Sequence, residues 1–245
     1  MKVRRLLPHA VNVARETLID ADVRGARDIH VEAIAARHGV MVLYGPVTTA
    51  RAHIVRVGRR AVVRVDASAK GEAHARFTIA HELGHHLLHD DDHFVQCTDN
   101  SEPRRGRAWH VEREANDFAT ELLIPHALGA AYCEATRPVI DDVERLARVF
   151  KTSLVMSAIR FVELSRAPCA AAMVVEGKVR WATESATFPG KIVKGRAVPA
   201  SAAASRDALP RVVPAEAWGG TEPFLEHRIP LASAAELLCW VTPAS

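Results

Sequence analysis

A chain of 245 residues has room for one large domain or two modest ones, and 49% hydrophobic residues suffice for a buried core. No run approaches the roughly 20 apolar residues that a membrane helix needs, and the basic N-terminus lacks the continuous apolar stretch of a signal peptide, so the cytoplasm is the expected compartment. A net charge of +3, mixed along the chain, argues against a dedicated nucleic-acid surface. Cys97, Cys133, Cys169 and Cys239 are far apart and form no CxxC pair, so reduced thiols are expected rather than a disulfide framework or zinc ribbon.

In chain order, residues 9–22 and 28–38 read as helices, the second with Asp28 as N-cap and Gly39 as its stop. Residues 52–67, AHIVRVGRRAVVRVDA, alternate apolar and polar on both sides of Gly58, the pattern of a hairpin whose edge strand is suited to pairing with an extended peptide. A helix over about 72–90 carries an apolar stripe of Ala73, Phe77, Ala80, Gly84 and Leu87. Residues 91–108 read as a loop, and a helix over 109–123 stops before Pro125. Residues 141–164 read as two short helices around Lys151–Ser153. Beyond Pro168 the texture changes, and AAMVVEGKVRW suggests another hairpin. Trp181, Trp218 and Trp240 read as core residues.

The chemistry concentrates in FTIAHELGHHLLHD, residues 77–90. Residues four apart on a helix share a face, so His81 and His85 can aim two imidazoles at one ion. Glu82 lies about 100° further round, within reach of a water at that ion. This is the content of HExxH: two zinc ligands and a carboxylate that takes a proton from water. The pattern arises by chance in roughly one chain in a hundred of this length, so a third ligand must support it. HExxHxxGxxH is excluded because positions 88 and 91 are Leu88 and Asp91. His89, about 12 Å along the helix axis from His81, is a poor ligand for the same ion. A carboxylate from a second helix remains, and the stripe of Val111, Ala115, Phe118 and Leu122 has Glu112 on one flank and Glu114 on the other. Periodicity does not choose between them. Ala115, Asn116 and Ala119, small residues beside Glu112, mildly favour it by permitting close helix approach.

RFTIAHELGHHLLH followed by EREANDFATELLIP resembles the ImmA/IrrE family of metallopeptidases, with its RFTxAHExGH helix and then its ExxANxFAxxLLxP helix. The resemblance implies His81, His85 and Glu112 as ligands of one catalytic Zn2+, and Glu82 as general base. It covers about residues 28–164, including a short helical module at 141–164. It further implies an intracellular endopeptidase whose protein substrate is a helix-turn-helix repressor, cleaved to release a stress-response or mobile-element regulon. The expected fold is α+β: a zincin-like domain over 1–138, a helical hairpin over 139–167, and a small β-containing, regulatory domain over 168–245. Tyr132, His110 and His126 are candidates for stabilising an oxyanion, and the sequence ranks none of them.

Two competing readings belong to other classes. The 141–164 segment has the outline of a helix-turn-helix, but its second helix opens with Leu154, Val155 and Met156 and offers only Ser157 and Arg160 to base edges. A DNA-binding or protein-binding regulator with a structural or silent metal site is the other, and retention of Glu82 speaks against it. Substrate identity, activating signal and oligomeric state are not encoded legibly.

Overall fold

The computed structural model describes residues 5–46, 52–57, 60–89, 107–198, 209–231 and 236–244. It is mixed α/β, helical in its N-terminal part and β-rich in its C-terminal region, with seven α-helices and two sheets among the described residues. The chain divides into two units: Leu6–Leu128 with Arg148–Ser153, and Gly129–Ala147 with the chain from Leu154 onward. No helix among the described residues is long and apolar enough to cross a membrane.

The first unit begins with α1 (Pro8–Asp20) and α2 (Val31–Arg37). Helix α2 starts three residues later than the sequence suggests and has His30 as its N-cap. Asp28 caps a short 3-10 turn instead: its carboxylate accepts the Arg24 and Gly25 N–H groups at 3.1 and 2.8 Å. Strands β1 (Val40–Gly45), β2 (Ala52–Val57) and β3 (Arg60–Asp66) form a sheet in the order β1-β3-β2. Strands β2 and β3 are the antiparallel hairpin read from the alternation, while β1 runs parallel to β3. Because β3 is paired on both sides, only β2 of that hairpin is left as an edge. Val40, Ala61, Val63 and Val65 are buried, and α2 and the following helix, α3 (Ala73–Leu88), pack against this sheet.

Helix α3 is more enclosed than a single stripe predicts. Ala75, Ile79, Ala80, Leu83 and Gly84 are buried, whereas Phe77 and Leu87 are only half-buried. Neighbours on several sides, α1, α2, α4 and the sheet, shift the buried sector away from the stripe that hydrophobicity alone picks out. The Arg76 side chain, also buried, donates through Nη2 to the Ile29 carbonyl at 3.1 Å and ties the first turn of α3 to the segment before α2. The principal partner of α3 is α4 (Arg107–Leu123), which stops before Pro125 as expected and buries Ala115, Phe118, Ala119 and Leu122. A Cβ at Gly84 would meet Phe118 Cδ1 at 3.0 Å and the Ala115 carbonyl oxygen at 3.2 Å. The two helices thus cross with glycine on one and alanine on the other, close enough for short polar side chains to span the gap. The loop expected over 91–108 lies outside the described residues as far as 106.

The single-turn helix α5 (His126–Gly129) follows, then α6 (Ile140–Phe150) and α7 (Leu154–Leu164), the pair read around Lys151–Ser153. Lys151, between them, has φ 53°. In the second unit, β4 (Ala170–Val175), β5 (Lys178–Glu184), β6 (Arg211–Val213), β7 (Phe224–Pro230) and β8 (Glu236–Pro243) form an antiparallel sheet in the order β5-β4-β8-β7-β6. The expected β4–β5 hairpin turns through Glu176 and Gly177, both at positive φ, a backbone that matches the strand twist. Trp218 and Trp240 are buried, and Trp181 is half-buried. Trp218 joins Phe188, Phe224 and Val241 in one core, while Trp240 meets the Phe161 ring of α7 edge-on at 5.5 Å.

Candidate metal centre

One turn of α3 separates His81 from His85, and their rings meet edge-to-face with Nε2 atoms 3.0 Å apart. Glu112, near the start of α4, answers both: Oε2 lies 3.3 Å from His81 Nε2 and Oε1 lies 3.5 Å from His85 Nε2. The three ligand atoms lie within 4.8 Å of one another, a spacing suited to a single ion. The structure therefore brings together the three residues that the sequence singled out, from helices held close by Gly84 and Ala115.

Between the two glutamates that periodicity left open, geometry makes a clean division. Glu112 faces the two converging nitrogens. Glu114, on the other flank of α4, accepts from His89 Nε2 at 3.2 Å and stands 3.5 Å from His110 Nδ1. Burial pushes the His85 imidazole toward its neutral form, with Glu112 pulling the other way. Burial alone would raise the Glu112 carboxyl, but hydrogen bonds from His81 and His85 hold it below the usual carboxylate range. Neutral imidazole and ionised carboxylate are the forms in which these groups bind metal. Glu82 follows His81 on α3 and is buried, 2% exposed.

Two further residues at the site escaped the sequence reading. The sequence marks Asn116 only as a small residue, yet its Oδ1 lies 3.1 Å from His81 Nδ1, the ring nitrogen turned away from Glu112. His89, set aside as a ligand, places Nδ1 3.3 Å from His85 Nδ1. A signal for both was present, since Asn116 is four residues after Glu112 and His89 four after His85, each on the face of its predecessor. The oxyanion candidates fare less well. His126 follows the far end of α4, where its backbone N–H donates to Glu121, a residue more than two turns beyond Glu112. Exposed His110 sits against Glu114. On α7, Ser157 and Arg160 are buried, so the residues on which base readout depended do not face solvent.

Two imidazoles in an HExxH arrangement and a glutamate from the next helix define a metallopeptidase-like domain. The chain belongs to the ImmA/IrrE family, peptidase family M78: the model for the IrrE N-terminal-like domain matches residues 5–162. No curated protein sequence matches the chain. A solved structure described as a Mycobacterium tuberculosis transcriptional regulator is similar, with a TM-score of 0.62 and 17% identity over 97% of this chain and 76% of that one. At that identity the likeness is one of fold.

Proposed function

We propose that this chain is a zinc-dependent endopeptidase of the cytoplasm and that its substrate is another protein, a helix-turn-helix transcriptional repressor. The observation that carries the reading is the convergence of His81 Nε2, His85 Nε2 and the Glu112 carboxylate beside the buried Glu82. The donor set suits zinc, which takes imidazole and carboxylate ligands and, in catalytic sites, three protein ligands with one position left open. A zinc ion held there supplies Lewis acidity, making water easier to deprotonate and a peptide carbonyl more electrophilic.

The remaining chemistry belongs to the chain. Glu82 acts as general base, takes the proton from the attacking water and returns it to the leaving amine. Two neutral imidazoles and one carboxylate cancel only half of a divalent charge, which preserves the acidity the reaction needs. His81 and His85 are held through their outer nitrogens by Asn116 and His89, so their rings keep one orientation. The repressor as substrate rests on the family resemblance, and cleavage would release the genes it silences, a stress-response or mobile-element set.

The competing reading is a regulator that binds DNA or protein with a silent metal site. The fold likeness to a protein described as a transcriptional regulator favours it, but buried Ser157 and Arg160 remove the base contacts α7 would need. The test is to incubate zinc-loaded protein with a purified candidate repressor. Discrete fragments from wild type, abolished by chelator and by Glu82→Gln, support the proposal. Equal cleavage by Glu82→Gln overturns it.

A further inference from the structure

The HELGHHLLH segment places its fourth histidine, His89, one turn beyond His85, and α4 places a second glutamate, Glu114, opposite it. Neither belongs to the set that converges on the metal position. We propose that His89 and Glu114 form an outer relay that fixes the proton of His85 on Nδ1 and so aims its Nε2 lone pair at the metal. This inference rests on the metal-binding reading above.

Counting protons leaves one arrangement. A neutral imidazole has one N–H, so if His85 binds metal through Nε2 its proton sits on Nδ1. The atom facing that proton is His89 Nδ1 at 3.3 Å, which must then be an acceptor. The single proton of His89 is thereby placed on Nε2, 3.2 Å from Glu114 Oε2, and an ionised carboxylate can only accept. Each donor meets an acceptor, and the chain ends on a negative charge. The His85 side chain is fully buried, so its outer N–H is satisfied within the protein and not by bulk water, and His89 faces it. His89 and Glu114 retain 14% and 17% exposure, which makes them replaceable without opening the core. The two ligand histidines are thus held differently: His81 by the neutral amide of Asn116, His85 by an imidazole backed by a carboxylate. A carboxylate behind a ligand histidine raises its basicity as well as fixing its ring. Glu114 therefore acts as a positioning residue through two rings, and His89 as its link.

The experiment is zinc affinity by chelator competition for wild type, His89→Ala, Glu114→Ala and Glu114→Gln, with thermal unfolding of each metal-free protein as the control for folding. The relay is expected to show as a loss of about 10- to 100-fold in affinity for the two alanine variants, at unchanged stoichiometry and unchanged metal-free midpoint. Glu114→Gln, which keeps an oxygen acceptor for the His89 N–H but not the charge, is expected to recover part of that loss. Nitrogen-15 spectra of zinc-loaded wild type should show His85 protonated on Nδ1 and His89 on Nε2. Wild-type affinity in Glu114→Ala, or no recovery in Glu114→Gln, overturns the relay while leaving the metal site intact. A wild type that binds no zinc overturns the metal reading itself, and the relay with it.

Discussion

Two residues can be separated by what each does at the centre. In the mechanism proposed above Glu82 serves as base and not as ligand, so Glu82→Gln should bind zinc as wild type does while cleaving about 100- to 10,000-fold more slowly, measured as kcat on a repressor substrate. Asn116 is neither base nor ligand. Its carbonyl faces the outer nitrogen of His81, so Asn116→Ala should weaken zinc binding by about 10- to 100-fold in chelator competition. Retained affinity in Asn116→Ala would show that His81 is oriented by packing alone, against rings such as Phe77, which stacks on it at 6.1 Å between centroids.

Helices α3 and α4 form the element on which these residues depend. Valine at position 84 would put a branched side chain where a single Cβ already meets Phe118 and the Ala115 backbone. Gly84→Val should cost about 1–3 kcal/mol in chemical denaturation by overpacking, and should also weaken zinc binding by spreading the ligand helices. Helix α4 shows how far sequence reading reaches. Its stripe, its Pro125 stop and the candidacy of Glu112 were legible because spacing on a helix translates directly into a face. Periodicity alone did not separate Glu112 from Glu114; small neighbours favoured Glu112 mildly, the family resemblance implied it, and the crossing geometry brings its carboxylate to His81 and His85. The opposite face was missed altogether: buried Asp117 accepts the Leu7 N–H and buried Glu121 accepts from Arg15, each at 2.9 Å, so charged positions that look solvated hold α1 instead. For α2 the error was chemical. Asp28 does cap, but it caps the turn before the helix.

At the scale of the whole molecule, Cys133, Cys169 and Cys239 are free and buried, with burial pushing each thiol up to about 12. The cysteine spacing suggested reduced thiols without saying whether they are buried, and Cys97 lies outside the described residues. Their raised values make a pH dependence. Between the ordinary value of 9.0 and about 12 the unfolded chain loses these protons while the folded chain keeps them, so stability falls as pH rises through that window. Denaturation midpoints measured from pH 8 to 11 should decline, and less steeply in Cys239→Ala. A flat profile would contradict the burial of these thiols. In the same unit the fully buried Glu226 accepts from Arg211, Arg228 and Trp218 Nε1. Glu226→Ala removes the buried acceptor shared by Arg211, Arg228 and Trp218 and should destabilise this unit by about 1–3 kcal/mol, read from the unfolding of its tryptophans. The sequence marked the tryptophans as core, but not the charge cluster, whose members are brought together by strand pairing across β6 and β7.

The most direct test of the account is the zinc content of purified wild type beside His81→Ala, Glu112→Ala and Glu82→Gln. About one zinc per chain in wild type and Glu82→Gln, with loss in the other two, is the expected result. A wild type that cannot be loaded with zinc would contradict the account and reduce HELGH to a histidine-rich helix.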